Sequence, residues 1–135
     1  MDQEALHHWL AAYGTAWTSR DPEAAASLYA DDATLESPLI SYLLRTDIGV
    51  LSGREEIRRF LPVVFRNQPN ERRTFRNDIL TDGVVMMWEY PRKTPHGDQM
   101  DFAEVMELKD GLIRNHRVYW GWFGVRTLTS ESHRR

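Results

Sequence analysis

The chain has 135 residues, a net charge of −3, 41% hydrophobic and 27% charged residues, and no cysteine. That length suits one domain with a single real core, and the composition is ordinary for a soluble globular protein. The weak negative charge gives no footprint for nucleic acid or an anionic membrane, and the missing cysteine excludes disulfides, thiolate nucleophiles and thiolate-bound metals. A cysteine-free chain fits the cytoplasm. No apolar run approaches the ~20 residues of a membrane span. The start, Met1-Asp-Gln-Glu4, has neither a basic region nor an apolar stretch, so no signal peptide is expected. Five Trp are many for this length, and such rings often line cavities or interfaces.

Residues 3 to 19 place Leu6, Trp9, Leu10, Tyr13 and Trp17 on one helical face. Arg20-Asp21-Pro22 breaks and restarts the chain, with Asp21 as a cap and Pro22 at the first helical position. A short Ala-rich helix follows to about Ala30, then a strand near Thr34 to Pro38. Ser52-Gly-Arg-Glu55 has capping-box spacing and opens a third helix bearing Ile57, Phe60, Leu61, Val64 and Phe65, with a bend expected at Pro62. The rest reads as strands: Glu71 to Leu80, a hairpin at Asp82-Gly83, Val84 to Tyr90, a loop from Pro91 to Asp98, Met100 to Leu108, a hairpin at Asp110-Gly111, and Leu112 to Val125. Three helices followed by an antiparallel meander predict an α+β domain over residues 1–126, with helices packed on a strongly curved sheet. Such a sheet forms a cone with an internal pocket. Residues 127–135 read as a polar, frayed tail.

Strand alternation then sorts the candidate side chains. Phe102, Glu104, Met106 and Leu108 share one face, so Glu104 is the single acid among large apolar neighbours. Burial there disfavours its charged form, and a largely protonated pocket acid is expected. Glu89 faces inward if Val85 and Met87 do; the opposite parity turns Met86, Trp88 and Tyr90 inward instead. Arg114, His116, Val118, Trp120 and Trp122 share a face of the last strand, which sets His116 against Glu104 with Arg114 nearer the rim. An imidazole titrates in the range useful for acid–base work. His7 and His8, adjacent on a helix, do not share a face, and no metal site is expected. Arg58-Arg59 and Arg72-Arg73 read as solvated, and Glu36 points away from Ser37.

Several markers occur in order: Arg20-Asp-Pro-Glu-Ala24, Tyr29-Ala-Asp-Asp-Ala-Thr34, Gly53-Arg-Glu55, the two Asp-Gly hairpins and Tyr119-Trp120. Over nearly the whole chain this arrangement resembles the SnoaL-like / NTF2-like superfamily, the cystatin-like α+β cone. In motif layout it is most similar to the ketosteroid isomerases. That resemblance implies that Tyr13, 24 residues before Ser37, matches an oxyanion tyrosine, Tyr29 a supporting tyrosine, Glu104 a protonated acid, and Trp120 a pocket wall. The chain departs from those enzymes at Ser37, which stands where the base carboxylate would be. It also departs in the longer connection from Pro38 to Gly53, whose Leu39–Leu44 run suits a pocket roof.

A hydroxyl without an adjacent base cannot take a proton from carbon at neutral pH. The expectation is a cofactor-independent enzyme that moves a proton on a small, mostly apolar, oxygenated molecule, as an isomerase or polyketide-cyclase-like catalyst does. Its catalytic residues are His116, as the base, and Tyr13 and a protonated Glu104, as hydrogen-bond donors to the enolate. Its substrate-binding residues are Trp17, Tyr29, Ser37, Phe60, Glu89, Phe102, Trp120 and Trp122. The alternatives are a non-catalytic ligand-binding or dimerisation module and an epoxide-hydrolase-like activity. A homodimer is expected, because Val105, Tyr119 and, in one register, Trp88 leave an apolar outer face with no helix to cover it.

Overall fold

The computed structural model describes residues 2–67, 79–93 and 99–129, which form five helices and six strands. Asp2 caps α1 (Gln3–Ser19), its carboxylate accepting from the Ala5 N–H at 2.8 Å. Trp9, Tyr13 and Trp17 are buried on one face of α1, and Tyr13 stacks on Trp9 at 5.3 Å between centroids. Arg20, left-handed at φ 57, ends the helix. Asp21 then accepts from the Glu23 and Ala24 N–H groups to start α2 (Pro22–Ala26). Asp21 and Pro22 thus act as expected, but α2 stops four residues early. Pairing of Tyr29 with Ile113 draws that residue into β1 (Tyr29–Glu36), so a long-range ladder overrides the helical preference of the alanines.

Beyond β1 the chain forms α3 (Pro38–Leu44), β2 (Val50–Ser52) and α4 (Arg54–Asn67). The helix α3 falls in the connection expected only as a roof. Ser37 caps it, Pro38 opens it, and Arg45 closes it at φ 55. At α4 the carboxylate that reaches back to the Ser52 N–H is Glu56, at 3.0 Å, rather than Glu55, which pairs with Arg58. The helix continues through Pro62 and buries Ile57, Phe60, Leu61 and Phe65.

The strands β3 (Leu80–Thr81), β4 (Val85–Lys93), β5 (Gln99–Lys109) and β6 (Leu112–Trp120) complete a curved, unclosed mixed sheet in the order β2-β1-β6-β5-β4-β3. Every neighbouring pair is antiparallel except β1–β6. The β5–β6 turn has positive φ at both Asp110 (54) and Gly111 (80), the geometry of a tight two-residue hairpin. Helices α1 and α4 cover one face of the sheet: Tyr13 meets Trp88 edge-on at 5.8 Å, and Trp17 meets Phe65 at 5.1 Å. Chain order and class therefore follow the α+β expectation, with more helices than the three anticipated.

Two expectations for the end of the chain are corrected. The last strand stops at Trp120, and residues Trp122–Thr129 form α5 instead of continuing the strand to Val125. Gly121 breaks the strand, and Leu128 is buried, so residues 127–129 belong to a packed helix rather than to a frayed tail. Most of the strand expected from Glu71 to Leu80, the Arg72-Arg73 pair and residues 130–135 lie outside the described residues. No helix among the described residues is long and apolar enough to cross a membrane.

Candidate active site

On β5, alternation sends Phe102, Glu104, Met106 and Leu108 inward, and all four are buried. On β6 the inward set is Ile113, His116, Val118 and Trp120. Ile113 and His116 share a side despite their odd spacing because the ladder slips: Glu107 pairs with Asn115 but Leu108 with Ile113, leaving Arg114 exposed in a bulge. On β4, Trp88 pairs with Glu104 and Tyr90 with Phe102, so Met86, Trp88 and Tyr90 face inward. This overturns the parity that would have placed Glu89 in the pocket: Glu89 is exposed on the outer face, and Trp88 is buried inside rather than available to a partner.

The inward face carries a chain of four polar side chains. The Tyr29 hydroxyl lies 2.7 Å from His116 Nδ1. His116 Nε2 lies 2.5 Å from Glu104 Oε1. Glu104 Oε2 accepts from the Tyr90 hydroxyl at 2.6 Å. Glu104 and His116 are only 4% and 1% exposed. Burial, and secondarily the negative charge of Glu104, push the Tyr29 phenol well above its ordinary value, so its hydroxyl keeps its proton. Both ring nitrogens of His116 are thus engaged by named partners. A protonated Tyr29 hydroxyl donating to Nδ1 matches an imidazole that carries its proton on Nε2, directed at Glu104.

Glu104, His116 and Tyr90 open on a cavity of about 80 Å³ whose wall also includes Tyr13, Trp17, Ser37, Phe60, Phe102 and Trp120. Leu39 of α3 and Leu35 of β1 complete the side nearest Ser37, so the expected roof segment does reach the pocket. Phe102 sits between Tyr90, stacked at 5.4 Å, and Trp120, edge-on at 4.8 Å, which fixes the aromatic wall.

Of the residues named from sequence, Tyr13, Trp17, Ser37, Phe60, Phe102, Glu104, His116 and Trp120 converge on this cavity. Three do not line it. Tyr29, fully buried, stands behind His116. Glu89 faces outward. Trp122, at 75% exposure, lies on α5 because the strand has already ended. Tyr90 is the member of the polar chain that sequence reading did not single out. Its signal was the run Met86, Trp88 and Tyr90, the larger of the two alternating sets on that strand. Ser37 plays a structural part. Its Oγ accepts from the Leu39 N–H at 3.2 Å at the start of α3, and its own N–H donates to the Gly49 carbonyl at 3.0 Å. Among the described residues no three His, Asp or Glu side chains cluster as metal ligands.

No curated protein matches the chain. Solved structures do. A SnoaL-like protein of unknown function from Burkholderia thailandensis E264 is 20% identical, covers 90% of this chain and 98% of its own, and superposes with a TM-score of 0.69. A protein of Kribbella flavida DSM 17836, provisionally described as a ketosteroid isomerase, is 21% identical over 87% and 78% of the two chains, with a TM-score of 0.63. A de novo designed protein with a curved β-sheet is 15% identical over 96% of both chains, with a TM-score of 0.69. That the fold is also met in a designed chain underlines that such likenesses establish architecture and not activity. The family model of the SnoaL-like domain matches residues 10–116, and the chain belongs to the SnoaL-like domain family.

Proposed function

We propose that the protein is a cofactor-independent enzyme that relocates a proton on a small, largely apolar molecule bearing a carbonyl oxygen, in the manner of an isomerase or aldol-type cyclase. The observation that carries this reading is the buried chain Tyr29–His116–Glu104–Tyr90 ending on an apolar cavity. A carboxylate in such a wall is costly unless its charge is met by donors. Tyr90 and His116 meet it from two sides. Glu104 takes a proton from the carbon beside the carbonyl, leaving the negative charge on the enolate oxygen, and returns the proton at another carbon, while His116 holds the carboxyl group in place through Oε1. Glu104 is therefore read as an ionised proton acceptor, in place of the base role expected for His116 and the protonated-donor role expected for Glu104, because each imidazole nitrogen has a single bonding site and both are taken, whereas each carboxylate oxygen keeps a second lone pair beside the bonds from His116 and Tyr90. Tyr13, on the opposite wall, donates to the oxygen on which the enolate charge develops. Ser37 takes no proton, since its hydroxyl is spent on capping α3.

An imidazole beside Glu104 favours catalysis over a plain binding module, in which an arginine would neutralise the acid. The test uses 4-penten-2-one, whose conversion to 3-penten-2-one is followed by ultraviolet absorbance, and 2-butanone, whose deuterium uptake in D₂O is followed by NMR. Catalysis of either by the wild type, lost in Glu104→Gln and in His116→Ala with the fold intact, supports the reading. No catalysis of either would remove it.

We also propose that the protein works in the cytoplasm as a homodimer joined through the outer sheet face. There Tyr119 and Met87 are exposed beside Val105, while Trp88 plays no part. Light scattering giving a monomer mass at micromolar concentration would overturn the dimer.

A further inference from the structure

The pairing of β1 with β6 ends beside the cavity. Strands β1 and β6 run parallel as far as Glu36↔Arg117. Beyond that pair they part. The chain leaves β1 at Ser37 and enters α3 at Pro38, whereas Val118 to Trp120 continue β6 along β5. The parting leaves a groove of about 330 Å³, lined by Pro38, Val50, Tyr119 and, from α5, Val125. Ser37, Val118 and Trp120 line both this groove and the inner cavity. Trp120 is held in place from both sides. Phe102 packs edge-on against it at 4.8 Å, and Gly124 of α5 lies so close that a Cβ there would stand 3.2 Å from its ring.

The two spaces differ in size and chemistry. The inner cavity, about 80 Å³, carries Glu104, His116 and the tyrosines. An apolar cavity of ~150 Å³ takes up benzene, so the inner one holds only a head of a few heavy atoms. The groove is about four times larger and mainly apolar in its side chains. Its cation, Arg117, is already bound to Glu107 at 2.7 Å and to Asn115. Its acid, Glu36, is exposed and disfavours an anionic occupant.

We propose that the groove is the tail subsite of the ligand whose head reacts at Glu104. The ligand is a slim, uncharged molecule with a small carbonyl-bearing head and an unbranched apolar chain that leaves the cavity between β1 and β6, past Ser37 and Trp120. The identity of the head rests on the function proposed above. The chain and its route rest on the groove alone.

The experiment measures dissociation constants of 2-butanone, 2-pentanone, 2-heptanone and 2-nonanone by NMR titration of the tryptophan indole N–H signals. In the wild type, affinity is expected to rise about fourfold per methylene beyond the head, the gain for burying one CH₂. Val125→Phe fills the groove and is expected to flatten that rise. Because this variant risks misfolding, the wild type is also examined for nuclear Overhauser contacts between the terminal methyl of 2-nonanone and the methyls of Val50 and Val125. Contacts there support the route. A flat series in the wild type, an unchanged rise in a folded Val125→Phe protein, or terminal-methyl contacts confined to other residues would overturn it. The two proposals fail separately. A rising series in a protein that exchanges no proton keeps the groove and removes the catalytic reading, whereas exchange with a flat series does the reverse.

Discussion

Strands β5 and β6 carry two acid–base pairs, one on each face of the sheet. Glu104 and His116 meet inside, and Glu107 and Arg117 meet outside at 2.7 Å. The pairs are built alike. Each joins residues offset diagonally across the same ladder, in which Glu104 opposes Val118, Met106 opposes His116, Val105 opposes Arg117 and Glu107 opposes Asn115. Their surroundings differ. The inner side chains are 2% and 6% exposed and the outer ones 28% and 42%. Water and salt screen the outer pair, which ties the sheet surface together with Asn115 and Thr34 and does little more. The inner pair has no such screening, so its proton and charge are governed by Tyr29 and Tyr90. Burial, together with an imidazole in place of a guanidinium, separates a candidate catalyst from a surface ion pair on the same two strands.

Activity gives the widest separation. Glu104→Gln is expected to lower proton exchange on the test ketones by roughly 10²–10⁴-fold, the range for loss of a positioned base. Glu107→Gln should leave exchange within about twofold, because an exposed pair couples weakly to its surroundings. Comparable losses in the two variants would break the contrast.

Stability should separate them next. His116→Ala strands a buried carboxyl group and is expected to cost about 3 kcal/mol in urea unfolding. Arg117→Ala should cost less than about 1 kcal/mol. Equal costs would mean that the inner face is wetter than its burial implies.

Tyr29 sharpens the comparison through pH. A phenol whose value is raised on folding binds its proton more tightly in the native state. Its contribution is therefore complete below its ordinary value near 10 and is lost as pH rises from there. Wild-type stability should fall more steeply than that of Tyr29→Phe between about pH 9.5 and 11. Parallel curves would show that the hydroxyl is not sealed behind His116. Ser37→Ala should give the smallest effect of the series. It is expected to cost about 1 kcal/mol through the lost α3 cap, with far less change in exchange than Glu104→Gln. A loss of exchange as deep as that of Glu104→Gln would put the base back at Ser37.

Much of this was legible in the sequence because it depends on local rules. Asp2 was not singled out, but Asp21-Pro22, the Asp-Gly turns and the one-faced aromatics of α1 behave as short-range chemistry dictates. Glu104 was legible too, since alternation along an uninterrupted strand leaves an acid among Phe102, Met106 and Leu108 no outward option. Residues 38–44 hid a helix because Ser37-Pro38 served the resemblance as a base position, although serine before proline is also a cap followed by a first helical residue.

What the sequence by itself determined is the class, the order of elements and the inward face of β5. All of these follow from periodicity and turn chemistry within a few residues. Only the tertiary structure decided the rest. The register of β4 against β5 sent Tyr90 inward and Glu89 out. The bulge at Arg114 put Ile113 and His116 on one side. The parallel pairing of β1 with β6 carried Tyr29 to His116, a partner 87 residues away. Pairing across strands is set by which faces can be buried together, and no local pattern encodes a choice between residues so far apart along the chain.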